Sequence, residues 1–348
     1  LKFNEAIRES TSILMQKNKN VIVVGLGVSD PKGIFGTTSN LHKLYGSKRV
    51  FEIPISENAI TGIIIGASIN GMRPILSHQR VEFSLLSIEQ IFNQAAKIFY
   101  MTGGAINVPI VIRIIIGRGW GNGAQHTQSL ESIFSHIPGL KVVVPSNAYD
   151  AKGLLAASVK DNNPVVFLEH RWLHNTTSFV PKKYYSLKIG KGKIVNKGSK
   201  ITVIAFSYSV LIALKANKIL NNFNINLEII DLVSLRPIDK SIILKSVKKN
   251  KRVIVIDNGW MKYGISSEIL SIITENYNDL LLKKPIRLGI KDTIIPSSSN
   301  LSDSCYPGVK DIIKSVKSLL DKEFRGIDKF IKKEKYNDIP DKEFSGPF

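Results

Sequence analysis

The junction between a short apolar run and a run of small residues reads Arg49-Val50-Phe51-Glu52-Ile53-Pro54-Ile55-Ser56-Glu57-Asn58-Ala59-Ile60-Thr61. Pro54 ends the apolar run, and residues 62–71 are small and apolar, which predicts a buried helix. Glu57 therefore lies where a strand passes into a helix. In open α/β sheets ligands bind on that side, beyond the carboxyl ends of the strands. Taken alone, Glu57 is better explained as a favourable negative charge at a helix N-terminus.

Outward from this junction, strand and helix patterns alternate. Residues 108–116 are almost entirely apolar and mostly β-branched, which is typical of a central parallel strand covered on both faces. Further strands are predicted at residues 21–24, 50–54, 73–77, 141–145 and 164–169, and helices at 4–17, 39–45, 62–71, 87–101 and 150–160. The alternation predicts an α/β domain with a mostly parallel sheet over residues 1–175.

A polar stretch with proline and several lysines, residues 176–199, interrupts this pattern and is interpreted as a linker. A second alternation follows, with strands at 201–206, 227–231, 252–256 and 286–289 and helices at 208–221, 239–248, 265–276 and 309–321. We therefore predict a second, smaller α/β domain at residues 200–322. In both domains we expect a mostly parallel sheet with helices on both faces. Residues 323–348 are polar and are interpreted as a C-terminal tail.

Composition argues against several classes of protein. The chain has 348 residues, enough for two cores, but no apolar stretch of the roughly 18–20 residues that crossing a bilayer needs, so no membrane protein is expected. The N-terminus lacks a secretory-signal pattern. The single Cys305 excludes an internal disulfide and a cysteine-based metal site. A net charge of +20 is compatible with nucleic-acid binding, but the lysines are scattered and no nucleic-acid-binding motif occurs.

Several segments match one protein family in order along the chain. They are residues 49–57, 72–74, 94–104, 124–129, 136–144, 150–154, 161–169, 231–237 and 259–268. On these segments, which together are highly specific, the chain resembles the β subunits of the thiamine-diphosphate-dependent 2-oxo acid dehydrogenase E1 components (pyruvate, branched-chain and acetoin types). The resemblance extends over residues 3–320. It implies a transketolase-type pyrimidine-binding domain followed by a transketolase C-terminal-like domain.

The resemblance implies roles for Glu57, Phe83 and His126. In the family, the acid at the Glu57 position hydrogen-bonds the aminopyrimidine ring of the cofactor, and burial raises a carboxyl pKa in the direction this requires. The aromatic residue at the Phe83 position stacks on that ring, although a phenylalanine is equally common in a core. His126 follows the glycine-rich residues 117–123 and matches the active-site histidine, which donates a proton to intermediates or orients them and the incoming lipoyl group.

The resemblance also implies a cation site in some members, with K⁺ as the ion. Its ligands would be the backbone carbonyls and polar side chains of Ser158, Val159, Asp161 and Asn163, with the carbonyl of Ile110. Asp161-Asn162-Asn163-Pro164 equally suits an ordinary turn after a helix, so both interpretations stay open.

No Gly-Asp-Gly motif occurs in the chain. In this family that motif, with a later Asn, holds Mg²⁺ and the diphosphate through oxygen ligands. The resemblance therefore implies a separate α subunit that carries the motif, an α₂β₂ heterotetramer with thiamine diphosphate bound between subunits, and a chain that is inactive alone. Residues 62–71 are a candidate packing surface.

By resemblance, the enzyme oxidatively decarboxylates a 2-oxo acid and transfers the acyl group to lipoyl. It would associate with a lipoyl-bearing E2 core, without nucleic-acid or membrane partners, in the cytoplasm or in an organelle matrix. The sequence departs from the family at residues 25–28, 78–80, 118–120, 171–174 and 296–299. These departures leave two alternatives open: a split transketolase-like enzyme that transfers a ketol unit, and a non-catalytic assembly subunit.

Overall fold

The computed structural model describes residues 1–119 and 121–331. In this part of the chain, contacts divide the residues into two compact units. Unit 1 comprises residues 1–117 and 133–189, and unit 2 comprises residues 118–132 and 190–331. Residues 118–132, which fall inside the first predicted domain, thus group with unit 2. The predicted domain boundaries stay a prediction, and the predicted tail lies outside the described residues from position 332 onward.

The sheet of unit 1 is parallel. Its strands are β1 (Val21–Gly25), β2 (Val50–Phe51), β3 (Arg73–His78), β4 (Val111–Ile116), β5 (Lys141–Val143) and β6 (Val165–His170). Neighbouring strands follow the order β5-β6-β4-β3-β1-β2, and each of these pairs is parallel. β4 lies in the centre and is buried at every residue, as its β-branched apolar run predicts.

Helices cover the strands of unit 1. They are α1 (Phe3–Lys17), α2 (Leu41–Tyr45), α3 (Glu57–Ile69), α4 (Val81–Ser84), α5 (Ile98–Met101), α6 (Glu131–His136) and α7 (Ala148–Lys160), of which α6 begins in unit 2. α1 packs along α7, where the Ser10 hydroxyl donates to the carbonyl of Lys152 at 2.9 Å. The Lys152 ammonium lies 2.8 Å from a carboxylate oxygen of Glu9.

The structure corrects two predicted helices. α3 begins at Glu57, before the predicted start at residue 62. Residues 57–61 include polar side chains, so they do not show the apolar pattern from which the helix was predicted. The helix predicted at residues 87–101 is not one α-helix: a 3₁₀ turn (Leu85–Ser87) and a π-helix (Gln90–Ala95) precede α5. Side-chain bonds to the start of α3 accompany this change, with Gln90 Nε2 donating to Asn58 Oδ1 at 3.0 Å.

Unit 2 repeats the layered arrangement. Its strands are β7 (Lys193–Asn196), β8 (Thr202–Ala205), β9 (Glu228–Asp231), β10 (Ser234–Arg236), β11 (Val253–Trp260) and β12 (Ile286–Ile290). Its further helices are α8 (Tyr208–Leu220), α9 (Lys240–Asn250), α10 (Ile265–Tyr277), α11 (Ser299–Ser302), α12 (Val309–Leu320) and α13 (Asp328–Ile331). A sheet of order β12-β11-β8-β9-β7 is parallel except at the β7–β9 pair. The predicted α/β class with mostly parallel sheets is confirmed.

β7 lies within the predicted linker, residues 176–199. It pairs antiparallel with β9 at the edge of the sheet, and none of its residues is fully buried. An edge strand of this kind keeps polar residues on its open side and so resembles a loop in sequence. In residues 1–119 and 121–331, no helix combines the length and the apolar character that crossing a membrane requires.

Candidate active site

Glu57 is the first residue of α3, at the side of the sheet where β2 ends. Its backbone carbonyl accepts hydrogen bonds from the Thr61 hydroxyl at 2.7 Å and the Ser87 hydroxyl at 3.0 Å. The two hydroxyl oxygens lie 2.9 Å apart, so the single proton of Thr61 is shared between the Glu57 carbonyl and Ser87 Oγ. Both residues are fully buried. This network fixes the first turn of α3 against the 3₁₀ turn at residues 85–87.

The carboxylate of Glu57 has no hydrogen-bond or ion-pair partner among the described residues, although the residue is only 6% exposed. The carboxylate oxygens are not among the fully buried polar atoms that lack a partner, so they are open to a group that enters the site. The carboxylate can therefore accept or share a proton with a polar ring that enters the site. Its chemistry and position fit the aminopyrimidine of thiamine diphosphate.

Phe83 lies on α4, which continues directly into the 3₁₀ turn that carries Ser87. Because Ser87 bonds to the Glu57 carbonyl, the structure brings the elements of Glu57 and Phe83 together. The ring of Phe83 is partly buried. Both residues belong to unit 1, on the side expected for a ligand.

His78, which the sequence analysis did not single out as a site residue, ends β3 shortly before α4. Burial lowers the pKa of its imidazole to about 4, so the ring is neutral at physiological pH. Its Nε2 atom has no hydrogen-bond partner in the described part of the chain. The only signal in the sequence was the unusual His78-Gln79-Arg80 triplet.

His126 lies in unit 2, in a loop after Gly123, and is partly exposed. The Thr127 hydroxyl donates to the Gly123 carbonyl at 2.5 Å and closes a turn around the histidine. Gly123 has a positive φ of 66°, and a side chain there would collide with the hydroxyl of Ser297. The glycine-rich loop is thus shaped by contact with one of the segments at which the sequence departs from the family.

Glu131, five residues after His126, was missed by the sequence analysis. Burial, together with the negative charge of Asp257, raises the pKa of its carboxyl to about 8. Asp257 accepts backbone hydrogen bonds from Ser266 at 2.9 Å and Gly259 at 3.2 Å. Glu131 Oε1 has no partner in residues 1–119 and 121–331. Near neutral pH, the Glu131 carboxyl therefore holds its proton.

Four of the predicted cation ligands lie in the last turn of α7 or directly after it, Ile110 directly precedes β4, and each of the five has a protein partner. Arg73 Nη1 donates to the carbonyls of Val159 at 2.8 Å and Asp161 at 3.0 Å. The Ser158 carbonyl accepts from the backbone N–H of Asp161 at 3.2 Å. The Ile110 carbonyl accepts from the N–H of Val165 at 3.0 Å.

The side chains of this segment are also engaged. The Asp161 carboxylate accepts from the backbone N–H of Asn163 at 2.9 Å and pairs with Lys141. Among the described residues, no group of three or more His, Cys, Asp or Glu side chains could hold a metal ion.

A buried charged network lies at the end of β6. The Arg113 guanidinium contacts Glu169 Oε1 at 2.6 Å and 2.7 Å, and His174 Nε2 lies 3.2 Å from Glu169 Oε2. Burial alone would raise the pKa of Glu169, but Arg113 and His174 lower it below its usual value. The network keeps a negative charge inside unit 1 and aligns the end of β6.

Two domain families match the chain. The transketolase pyrimidine-binding domain matches residues 1–176, and the transketolase C-terminal domain matches residues 190–312. A solved structure, "Split gene transketolase, inactive beta4 tetramer", has a TM-score of 0.77 and 22% sequence identity, and the match covers 92% of this chain and 99% of that one. The fold is therefore that of the transketolase-type two-domain α/β proteins.

Curated relatives narrow this class. Pyruvate dehydrogenase E1 component subunit beta of Rickettsia conorii is 38% identical, and the match covers 90% of this chain and 97% of the relative. The protein of that name from Cyanidium caldarium is 39% identical, and the match covers 91% of this chain and 97% of the relative. The mitochondrial protein of that name from Mus musculus is 37% identical, and the match covers 92% of this chain and 90% of the relative. The chain belongs to the family of pyruvate dehydrogenase E1 component β subunits, which confirms the resemblance.

Proposed function

We propose that this chain is the β subunit of a heteromeric thiamine-diphosphate-dependent enzyme that oxidatively decarboxylates a 2-oxo acid and transfers the acyl group to lipoyl. The observation that carries this proposal is the Glu57 carboxylate at the start of α3, which has no partner among the described residues although the residue is only 6% exposed. It lies in the segment that matches the pyrimidine-binding domain. When bound, thiamine diphosphate supplies the carbanion-stabilising centre of the reaction.

Glu57 and Phe83 are the residues of unit 1 that would hold the cofactor's pyrimidine ring. The Glu57 carboxylate binds a ring nitrogen and holds or releases the proton shared with it. Phe83 packs against the ring face, and the bonds of Thr61 and Ser87 to the Glu57 carbonyl orient the turn that carries the acid. His126 donates a proton from its imidazole to the reacting substrate or orients the incoming lipoyl group.

A second chain completes this site in our proposal. The sequence contains no Gly-Asp-Gly motif, so we assign the Mg²⁺ and diphosphate ligands to an α subunit in an α₂β₂ heterotetramer. A lipoyl-bearing E2 core would be the further partner. We place the complex in the cytoplasm or in an organelle matrix, since the relatives include bacterial proteins and a mitochondrial one.

The proposed function predicts that activity needs two chains. Co-expression with a candidate α subunit that carries Gly-Asp-Gly should give thiamine-diphosphate- and Mg²⁺-dependent oxidation of pyruvate by an artificial electron acceptor, and acylation of an isolated lipoyl domain. This chain alone should do neither. His126→Ala should lower lipoyl acylation by about 10²-fold or more, because it removes a general acid.

Two results would contradict the proposal. One is full activity from this chain alone. The other is ketol transfer to sugar phosphates in place of lipoyl acylation, which would support the split transketolase alternative. Binding of a lipoyl core by a complex that lacks all decarboxylase activity would instead support the assembly-subunit alternative.

We also propose that the C-terminal end of α7 and the turn after it bind K⁺, with Ile110 as a further ligand beside Ser158, Val159, Asp161 and Asn163. A carbonyl oxygen has two lone pairs, so a carbonyl that accepts one hydrogen bond can still bind a cation. Replacing 100 mM choline chloride by KCl should raise the melting temperature by about 2–4 °C, since a ligand at about ten times its Kd contributes roughly 1.4 kcal/mol.

The Asp161→Ala variant should lose this K⁺ effect. Lys141→Met is the matched control, because it breaks the same ion pair but keeps every proposed ligand. An equal melting temperature of the wild-type protein in choline and potassium salts would exclude the cation site.

A further inference from the structure

A pocket of about 320 Å³ opens at the amino-terminal edge of the unit 1 sheet. Val21 and Arg73, the first residues of β1 and β3, form part of it. The ends of α1 and α7 and the side chain of Tyr184 complete the wall, so the lining residues are Leu14, Lys17, Asn18, Val21, Arg73, Val159, Lys160 and Tyr184. Glu57 follows β2 at the opposite, carboxyl-terminal edge of this sheet. A volume of this size can accommodate a small molecule.

The pocket is positively charged. The Lys17 and Lys160 ammoniums lie 5.4 Å and 4.9 Å from the centre of the Tyr184 ring, and no carboxylate is among the lining residues. Within residues 1–119 and 121–331, neither ammonium forms an ion pair. α1 and α7 end here, and two helix C-termini together contribute about one negative charge. The summed positive charge of the two lysines and Arg73 is larger than this negative charge, so the net charge of the pocket is positive.

Tyr184 contributes its aromatic ring to the wall of the pocket, where the two ammoniums lie over it. Its hydroxyl oxygen is buried and makes no hydrogen bond in the described part of the chain. Water does not reach this oxygen, so the charged groups that the pocket offers to a ligand are the two lysines. Leu14, Val21 and Val159 provide an apolar floor that a simple inorganic anion would leave uncovered.

We propose that this pocket binds a small amphipathic carboxylate. The carboxylate pairs with Lys17 and Lys160, while the apolar body of the ligand covers Leu14, Val21 and Val159. Arg73 shapes the wall rather than binding the anion, since its Nη1 and Nη2 atoms already donate to Val159, Asp161 and Asn162. The proposal does not depend on the activity proposed above.

Benzoate and its neutral isostere benzamide test this proposal with the full-length chain. In a ligand-observed NMR titration at low salt, benzoate should bind with a Kd of about 1 mM or tighter, and benzamide at least roughly tenfold more weakly. The double variant Lys17→Gln/Lys160→Gln should weaken benzoate binding by roughly tenfold or more. Binding should also weaken as salt is added.

Lys248→Gln is the matched control, because Lys248 also lies in the last turn of a helix but belongs to unit 2 and does not line the pocket. It should leave the benzoate affinity unchanged. Circular dichroism of each variant establishes that it is folded. Equal affinities for benzoate and benzamide, or unchanged benzoate binding by the double variant, would overturn the site. Inorganic phosphate binding as tightly as benzoate would overturn the assignment of an amphipathic ligand.

Discussion

Replacing Glu57 by Gln should lower the turnover of the reconstituted complex by about 10²–10⁴-fold, the range usually lost with a group that transfers a proton. The variant keeps the shape of the side chain and the backbone bonds to Thr61 and Ser87, but its amide cannot share a proton with the pyrimidine ring. Turnover is measured with pyruvate and an artificial electron acceptor, and cofactor affinity by a separate titration. We expect the melting temperature to be nearly unchanged.

Glu268→Gln provides the matched control, since Glu268 also lies in the first turn of a helix, α10. If Glu57 were only a helix N-terminal charge, both variants would lose about 0.3–1 kcal/mol of stability and little activity. Retention of wild-type turnover and cofactor affinity by the Glu57 variant would refute the role proposed for this residue, whatever the substrate of the enzyme.

Glu131→Gln should remove a large part of the pH dependence of stability. The pKa of Glu131 is raised from its usual 4.5 to about 8 in the folded chain, so the folded state holds a proton that the unfolded state releases above about pH 4.5. The stability gained from this proton is fully present below the usual pKa and is lost as the pH rises through 8. At 1.36 kcal/mol per pH unit, the loss is on the order of a few kcal/mol.

Urea unfolding at pH 5, 7 and 9, followed by tryptophan fluorescence and circular dichroism, measures this effect. The Glu131→Gln variant should be close to wild type at pH 5 and more stable at pH 9. Asp257, whose pKa is also raised by burial, interacts with Glu131, so the difference between the two proteins reports the titration of Glu131 together with its coupling to Asp257. Parallel pH profiles of the two proteins would mean that Glu131 keeps an ordinary pKa.

The central strands could be predicted from the sequence because burial on both faces leaves a continuous apolar signal. β4 is the clearest case, with every residue buried. β7 could not be predicted from the sequence, because an edge strand with polar residues has the composition of a loop. The π-helix at Gln90–Ala95 was missed for another reason. In a π-helix each N–H bonds to the carbonyl five residues earlier instead of four, and the apolar pattern of a sequence does not show this difference. A side-chain bond from this segment to α3 accompanies the π-helix.

Site residues that lie in a local sequence motif could be predicted. Contacts between residues that are far apart in the sequence could not. Glu57 stands at a recognisable junction, and its position at the start of α3 agrees with the strand-to-helix junction inferred there. Its lack of a protein partner could not be inferred, since it depends on every neighbour. Glu131 and Asp257 are too far apart in the chain for any pattern to link them, and the same is true of Arg113 and Glu169.

The hydroxyl network at the Glu57 carbonyl means that the backbone carrying the acid is preorganised. Thr61 and Ser87 hold the backbone of its turn through bonds that form during folding, so the conformational entropy of ordering this turn is lost before any cofactor arrives. Cofactor binding then need not order the backbone of this turn. The position of the acid therefore depends on two small, fully buried side chains.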